Sequence, residues 1–165
     1  MSLPLFHPDL WLLVLLNVLG WLFLQLGLAF VAVRLPLKWF RPSAFLFATR
    51  RFERGGKLWD RLFSVKAWMG KLPSGAALTG SFNMQNLGRR DGAYFTRFAG
   101  ETCRAEATHL VALCLVPLFA LFNPPWAMII HVSYAILANG PCLLAQRVNR
   151  PRLLAAAARQ RSRAG

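Results

Sequence analysis

The chain has 165 residues, of which 56% are apolar, and its 20 Lys and Arg against 6 Asp and Glu give a formal net charge of +14. A soluble domain of this length has too little interior to bury so much apolar side chain, and a disordered basic tail would lack the 13 Phe and 6 Trp present here. The composition therefore predicts an integral membrane protein. The segments described below predict an all-α fold, one membrane domain with three transmembrane helices and interfacial amphipathic helices.

The first apolar segment, residues 10–33, contains no charged residue, and Asn17 and Gln25 are its strongly polar members. At about 1.5 Å per residue, a helix of this length crosses a hydrocarbon core of roughly 30 Å. A cleavable signal peptide is the alternative interpretation. It is disfavoured because the apolar run is too long, no Lys or Arg precedes it and no small-residue cleavage site follows it.

Residues 34–106 form a predicted cytoplasmic segment at the membrane interface, in which aromatic and basic residues interleave. Four of its residues follow the i, i+3, i+4, i+7 spacing of one helix face and predict an amphipathic helix in the headgroup region: Trp59, Leu62, Phe63 and Lys66. Leu72–Gly75 is a predicted turn. Basic residues with aromatics also bind nucleic acids, but these aromatics lie next to spans. We therefore expect anionic lipid headgroups as partners and no nucleic acid.

Two further spans are predicted at residues 107–122 and 126–145. They are joined by a turn at Asn123-Pro124-Pro125, because two successive prolines disfavour a continued helix. The first of these spans is short, so we expect its helix to begin earlier, near Asp91, and to enter the membrane obliquely.

Two further expectations concern the last span and the tail that follows it. Pro141 lacks a backbone N–H and is expected to kink or break the span. The basic tail, residues 146–165, is rich in Ala and Arg from Leu153 onward and is expected to fray or to lie on the lipid surface.

The positions of the basic residues predict the topology. All 20 of them fall within residues 34–104 or 147–163. By the positive-inside rule the N-terminus and the Asn-Pro-Pro turn lie outside, while the long loop and the C-terminus are cytoplasmic. The chain is therefore predicted to be a multi-pass protein of the inner cell membrane.

The stretch from residue 101 to residue 109 gathers ionisable side chains that suit catalysis. At about 100° per residue, Glu101, Glu106 and His109 share an arc of about 140° on a helix, whereas Arg104 points elsewhere. Ionisable groups at this depth usually face the protein interior or a cavity, where they suit general acid–base chemistry. The alternative is that both glutamates pair with arginines and His109 only anchors the helix. The Glu-x-x-His spacing is not repeated, so no metal site is expected.

A second group of polar residues lies between positions 139 and 152, where Asn139 is expected to line a cavity beside Pro141. Arg147 and Arg150 can hold anionic groups such as phosphates through bidentate hydrogen bonds. The alternative for the arginines is a stop-transfer signal with a helix C-cap. The sequence thus predicts six substrate-binding residues: Arg104, Asn139, Gln146, Arg147, Asn149 and Arg150.

Three segments in this order resemble the motifs of the glycosyl-4,4′-diaponeurosporenoate acyltransferase family: Val65–Gly75, Glu101–His109 and Asn139–Leu153. Members of this family are small integral membrane proteins of carotenoid-ester biosynthesis, and the resemblance covers roughly residues 52–153. It implies the transfer of a fatty acyl group to a hydroxyl of a glycosylated carotenoid or a similar lipid.

An acyltransferase gives each candidate residue a role. His109 acts as the general base and is oriented by Glu106 or Glu101. Three arginines bind the acyl donor from the cytoplasmic side: Arg104, Arg147 and Arg150. The amides of Asn139 and Gln146 stabilise the oxyanion. We expect no bound cofactor, since an acyl donor such as acyl-CoA is a co-substrate.

A non-catalytic role is the second hypothesis. Three spans, many aromatic residues and a basic cytoplasmic face also suit a pigment- or lipid-binding subunit of a larger membrane complex, for example a photosynthetic or another pigment–protein assembly. Three spans make a small enclosure for a long substrate, so both hypotheses allow an oligomer. The expected partners are membrane lipids and a carotenoid.

Overall fold

The computed structural model of the protein describes residues 3–72 and 91–164. Within these ranges the chain forms no strand, and the all-α prediction is confirmed. The described residues form the α-helices α1 (Leu10–Arg34), α2 (Lys57–Phe63), α3 (Val65–Trp68), α4 (Gly92–Cys114) and α5 (Ala127–Ala164). Short 3₁₀ helices occur at Leu37–Trp39, Arg51–Glu53, Met69–Lys71 and Val116–Leu121. The turn predicted at residues 72–75 lies outside the described residues from position 73 onward.

Among the described residues, three helical segments are long and apolar enough to cross a membrane, in agreement with the three predicted spans: Leu10–Arg34, Gly92–Leu121 and Ala127–Arg163. α1 begins after Asp9, whose carboxylate accepts a hydrogen bond from Leu12 N at 2.8 Å. It ends before Pro36, because the residue that precedes a proline disfavours the helical conformation. α4 begins after Asp91, as its sequence predicts, and the Asp91 carboxylate caps it by accepting from Tyr94 N at 2.7 Å.

α5 runs without interruption from Ala127 to Ala164, although it contains Pro141 and Pro151. Of the two alternatives for Pro141, the break is wrong, and the kink stays a prediction. A proline removes one backbone donor, but membrane helices tolerate this loss where a neighbouring helix holds the flanking turns. α4 packs extensively against α5 and supplies that support.

The C-terminal tail is the last part of α5, which continues to Ala164, so the expectation that it frays is wrong, and its position on the lipid surface stays a prediction. Leu153 and Ala157 are buried, and Leu153 packs with Phe98 and Ala99 of α4. Apolar residues four positions apart lie on one helix face, and here that face is turned towards α4.

Residues 35–72, here called the cap, fold onto α4 and α5. In one apolar cluster Phe40 and Phe47 of the cap contact Cys103 of α4. In another, Val65 packs between Ala145 and Val148 of α5. The cap is therefore a packed part of the protein and fixes the backbone around the ends of both helices.

The single amphipathic helix predicted through Trp59 and Lys66 is wrong. α2 ends at Phe63, and Ser64, with a φ of +48°, separates it from α3. The carboxylate of Asp60 closes this reversal by accepting from Lys66 N at 2.9 Å and pairing with Lys66 Nζ at 2.7 Å. These contacts with Lys66 lower the pKa of the Asp60 carboxyl below its ordinary value. Trp59 packs towards α5, while Phe63 is exposed.

Candidate functional site

α4 and α5 form an antiparallel hairpin, and α1 lies against it. The end of the hairpin that contains the Asn123–Trp126 connection is here called the turn end. The opposite end, which contains Arg147 and Arg150, is called the arginine end. The polar side chains of the three helices pair at successive levels between these two ends.

His109 of α4 and Asn139 of α5 meet across the hairpin. His109 Nδ1 and Asn139 Oδ1 lie 2.8 Å apart. Asn139 is fully buried, and its Nδ2 donates to the carbonyl oxygen of Ala135 at 2.9 Å. Because this bond fixes the amide, the side-chain oxygen of Asn139 faces the imidazole.

This geometry decides which nitrogen of a neutral His109 carries the proton. The Asn139 oxygen can only accept, so His109 Nδ1 must donate. Nε2 is then the unprotonated nitrogen, and it makes no hydrogen bond with any other of the described residues. A partly buried imidazole with a free Nε2 lone pair is suited to accept a proton from a substrate.

Glu106, which the sequence pattern assigns to the orientation of His109, has other partners. It lies about one turn closer to the arginine end and is 2% exposed. Arg147 Nε and Nη2 each lie 2.7 Å from its Oε1, and Arg150 Nη2 donates to its Oε2. The group that contacts His109 is therefore Asn139, and Glu106 instead pairs with two arginines.

Arg150 is 1% exposed and joins three parts of the structure. Its Nε donates to Thr102 Oγ1 at 2.9 Å and its Nη2 donates to Thr102 O at 3.2 Å. Its Nη1 donates to Phe47 O in the cap at 2.6 Å. With the Glu106 contact, the guanidinium ties α5 to α4 and to the cap.

Arg147 makes a similar set of contacts. Its Nη2 donates to Leu46 O at 2.8 Å, and its Nη1 lies 3.2 Å from Ala48 O and 3.4 Å from Glu53 Oε2. Trp59 Nε1 also donates to Glu53, at 2.7 Å. Protein atoms thus already accept hydrogen bonds from Arg147 and Arg150. The binding of substrate by these two arginines stays a prediction.

Glu53, Glu106, Arg147 and Arg150 are here called the buried ion cluster. The sequence patterns do not identify Glu53 as a member of this cluster. Glu53 is 2% exposed. The signal that could have identified it is its rarity, since it is one of 6 acidic residues in a chain with 20 basic ones. With two acids and two arginines the cluster is balanced in charge, as a buried group requires.

Glu101 belongs to a separate pair. Its Oε2 lies 2.8 Å from Arg104 Nη1, and Arg104 Nη2 donates to Leu35 O at 3.0 Å. The helical wheel predicts that Arg104 points away from Glu101, but the long side chain folds back over one turn. The pair connects α4 to the end of α1 and does not contact His109.

Gln146 and Asn149 are partly buried and make no side-chain hydrogen bond with another described residue. Gln146 lies seven residues from Asn139 and so shares its face of α5. Its amide is free to contact a ligand. In the part of the chain that the structure describes, no three His, Cys, Asp or Glu side chains are grouped so that they could hold a metal ion.

α1 reaches the hairpin through three polar side chains spaced four residues apart. The pairs are Asn17 with Asn123 (2.9 and 2.8 Å), Trp21 Nε1 with His131 Nδ1 (3.0 Å) and Gln25 Nε2 with Asn139 Oδ1 (3.4 Å). Polar side chains with this spacing on an apolar helix form one stripe, and that spacing is the sequence signal for the contact. The last pair brings α1 to the His109 site.

Comparison with known proteins gives a consistent match. The sequence profile described as "Glycosyl-4,4'-diaponeurosporenoate acyltransferase" matches residues 36–159. Proteins of that name from Staphylococcus aureus strains bovine RF122 / ET3-1 and USA300 are each 34% identical to the chain over 134 residues, which is 81% of this chain and 81% of the relative. No solved structure matches the chain. The profile match contains His109, Asn139 and the buried ion cluster, and it begins after α1.

Proposed function

The chain belongs to the glycosyl-4,4′-diaponeurosporenoate acyltransferase family, and from this membership we propose that it is a membrane enzyme that moves a fatty acyl group onto a hydroxyl of a glycosylated carotenoid or a similar lipid. The observation that carries the catalytic part is the contact between His109 and Asn139, which leaves Nε2 free to act as a base. The three apolar helices support a substrate that resides in the membrane.

The proposed reaction is a direct transfer from an acyl thioester. His109 Nε2 takes the proton of the acceptor hydroxyl while the oxygen attacks the carbonyl carbon and a C–O bond forms. The tetrahedral intermediate then collapses, the C–S bond breaks, and the imidazolium gives its proton to the leaving thiolate. Asn139 holds Nδ1–H throughout and stabilises the imidazolium, which is a positioning role.

Two further groups have a place in this proposal. Gln146 donates to the oxyanion of the intermediate, supported by its free amide and its position on the face of Asn139. The phosphates of a donor such as acyl-CoA meet the exposed cations of the cap, for example Arg51, Arg54 and Arg61. These cations are better placed than Arg147 and Arg150, which are engaged within the protein.

The location of the protein is part of the same proposal. The arginine end and the cap face the cytoplasm at the inner cell membrane, and the N-terminus lies outside, because the basic residues follow the positive-inside rule. The exposed aromatic and basic residues of the cap then lie among anionic headgroups. No bound cofactor is required, since the donor is consumed as a co-substrate.

The experiment that tests the function is acyl transfer by the protein in membranes, with labelled acyl-CoA and glycosyl-4,4′-diaponeurosporenoate as acceptor. We expect His109→Ala to lower the rate by at least about 100-fold, the usual contribution of a general base. His131→Ala is the matched control, because His131 is a buried histidine of α5 that pairs with Trp21. Its rate should stay within about threefold of the wild type. A wild-type rate in His109→Ala at equal amounts of folded protein contradicts the proposal.

A further inference from the structure

We propose that Gln25 of α1 is a positioning residue for the acyl-transfer site, acting through Asn139 on the tautomer and orientation of His109. This inference rests on the proposed function. It extends the site to a helix that lies outside the residues matched by the family profile.

The contact that carries the inference is a shared acceptor. Asn139 Oδ1 receives His109 Nδ1–H at 2.8 Å and Gln25 Nε2 at 3.4 Å, while Asn139 Nδ2 is held by Ala135 O at 2.9 Å. A side-chain amide that rotates by 180° exchanges its oxygen for its NH₂ group. The two donors on the Asn139 oxygen therefore oppose a rotation of the Asn139 amide. After such a rotation Asn139 would present its NH₂ group to His109 Nδ1, and the ring proton of His109 would lie on Nε2.

A rotated Asn139 would inactivate the base, since a protonated Nε2 has no lone pair for the acceptor hydroxyl. Gln25 in its present orientation disfavours this arrangement, because its NH₂ group would then face the NH₂ group of Asn139 unless the Gln25 amide rotated as well. The Gln25 contact is long for a hydrogen bond, so its contribution lies at the lower end of the range for neutral pairs. A modest effect on the rate follows.

The alternative is a purely structural role, in which Gln25 only attaches α1 to the hairpin. The chain offers a matched control for this alternative in Asn17, two turns away on the same face of α1. Asn17 forms an amide–amide pair with Asn123 at 2.9 and 2.8 Å. That pair has the same chemistry but does not touch His109, so its loss weakens helix attachment without changing the base.

The experiment compares Gln25→Met with Asn17→Leu in membranes, using labelled acyl-CoA and glycosyl-4,4′-diaponeurosporenoate and correcting for folded protein. We expect Gln25→Met to lower kcat by about two- to threefold with KM unchanged for both substrates. Asn17→Leu should leave kcat at the wild-type value. In an Asn139→Leu background, Gln25→Met should cause no further loss, because the two residues act through one contact.

A second measurement does not depend on turnover. In protein with ¹⁵N-labelled histidine, the ring nitrogens of His109 should report a proton on Nδ1 in the wild type and in Asn17→Leu. In Gln25→Met, part of that signal should move to the tautomer protonated on Nε2. Equal kcat losses in Gln25→Met and Asn17→Leu, additive losses with Asn139→Leu, or an unchanged His109 tautomer overturn the inference. A wild-type protein without transfer activity but with the expected tautomer shift overturns the proposed function instead.

Discussion

The variant Arg150→Met tests whether the buried ion cluster holds the structure together or binds substrate. Methionine fills a similar volume but donates no hydrogen bond. It removes the contact of Arg150 with Glu106 and its bonds to Thr102 and Phe47 O. Those acceptors are buried, so water cannot replace the lost donors.

The expected loss of stability follows from these contacts. Three hydrogen bonds to neutral oxygens, at 2.9, 2.6 and 3.2 Å, contribute about 1 kcal/mol each. Removing one partner of a buried ion pair costs about 3–5 kcal/mol, reduced here because Arg147 still neutralises Glu106. We expect the free energy of unfolding to fall by about 4 kcal/mol, and Tm to fall by on the order of 10 °C.

Thermal unfolding of the purified protein in one detergent, followed by circular dichroism, measures this change. Thr102→Val is the matched control, since it removes one acceptor of Arg150 and should cost about 1 kcal/mol. KM for the acyl donor, measured on the folded fraction, should stay near the wild-type value in Arg150→Met. An unchanged Tm together with a raised donor KM would refute the structural role and would favour the substrate-binding prediction.

Two further changes test the packing and the electrostatics of the cap. Gly56→Ala should lower the free energy of unfolding by about 3 kcal/mol, because Gly56 has a φ of +84° and an added Cβ would lie 2.9 Å from Arg147 O. Gly55→Ala, with a φ of +66° but no atom within 4 Å of the new Cβ, should lose only about 1 kcal/mol; equal losses in the same unfolding assay would contradict this reasoning. Lys66→Met should raise the pKa of Asp60 towards its ordinary value, as measured by carboxyl ¹³C NMR, while Lys71→Met should not. Since the folded-state pKa of Asp60 is lowered, its contribution to stability is present above the ordinary aspartate pKa and is lost as pH falls through the lowered value.

Local patterns predicted the larger elements of the fold. The start of α4 could be predicted because Asp91 precedes an apolar periodic segment and caps it. The turn could be predicted because two prolines follow Asn123 and cannot continue a helix. These features depend on residues close together in the chain, and so a single sequence contains them.

The pairing within the site could not be predicted in the same way. His109 and Asn139 were both candidates, but their contact depends on the register between α4 and α5, which no local pattern specifies. A helical wheel placed His109 near Glu106 because it considers one helix alone. Glu53 is buried because the cap folds onto α5, which the sequence around Glu53 does not specify. The helix likewise continues through Pro141 because α4 packs against it.

The distance between the base and the charges limits which substrates the site can serve. Glu106, which holds Arg147 and Arg150, lies three residues before His109 on α4, so the base is about 5 Å along the helix from the buried ion cluster. In the proposed topology a water-soluble acceptor would have to pass these charges to enter the apolar span, whereas a hydroxyl attached to a membrane-embedded chain would reach His109 from the lipid side. Under the proposed function, the position of His109 on an apolar helix therefore favours a lipid acceptor over water, and the exposed cations of the cap favour a donor that carries phosphates.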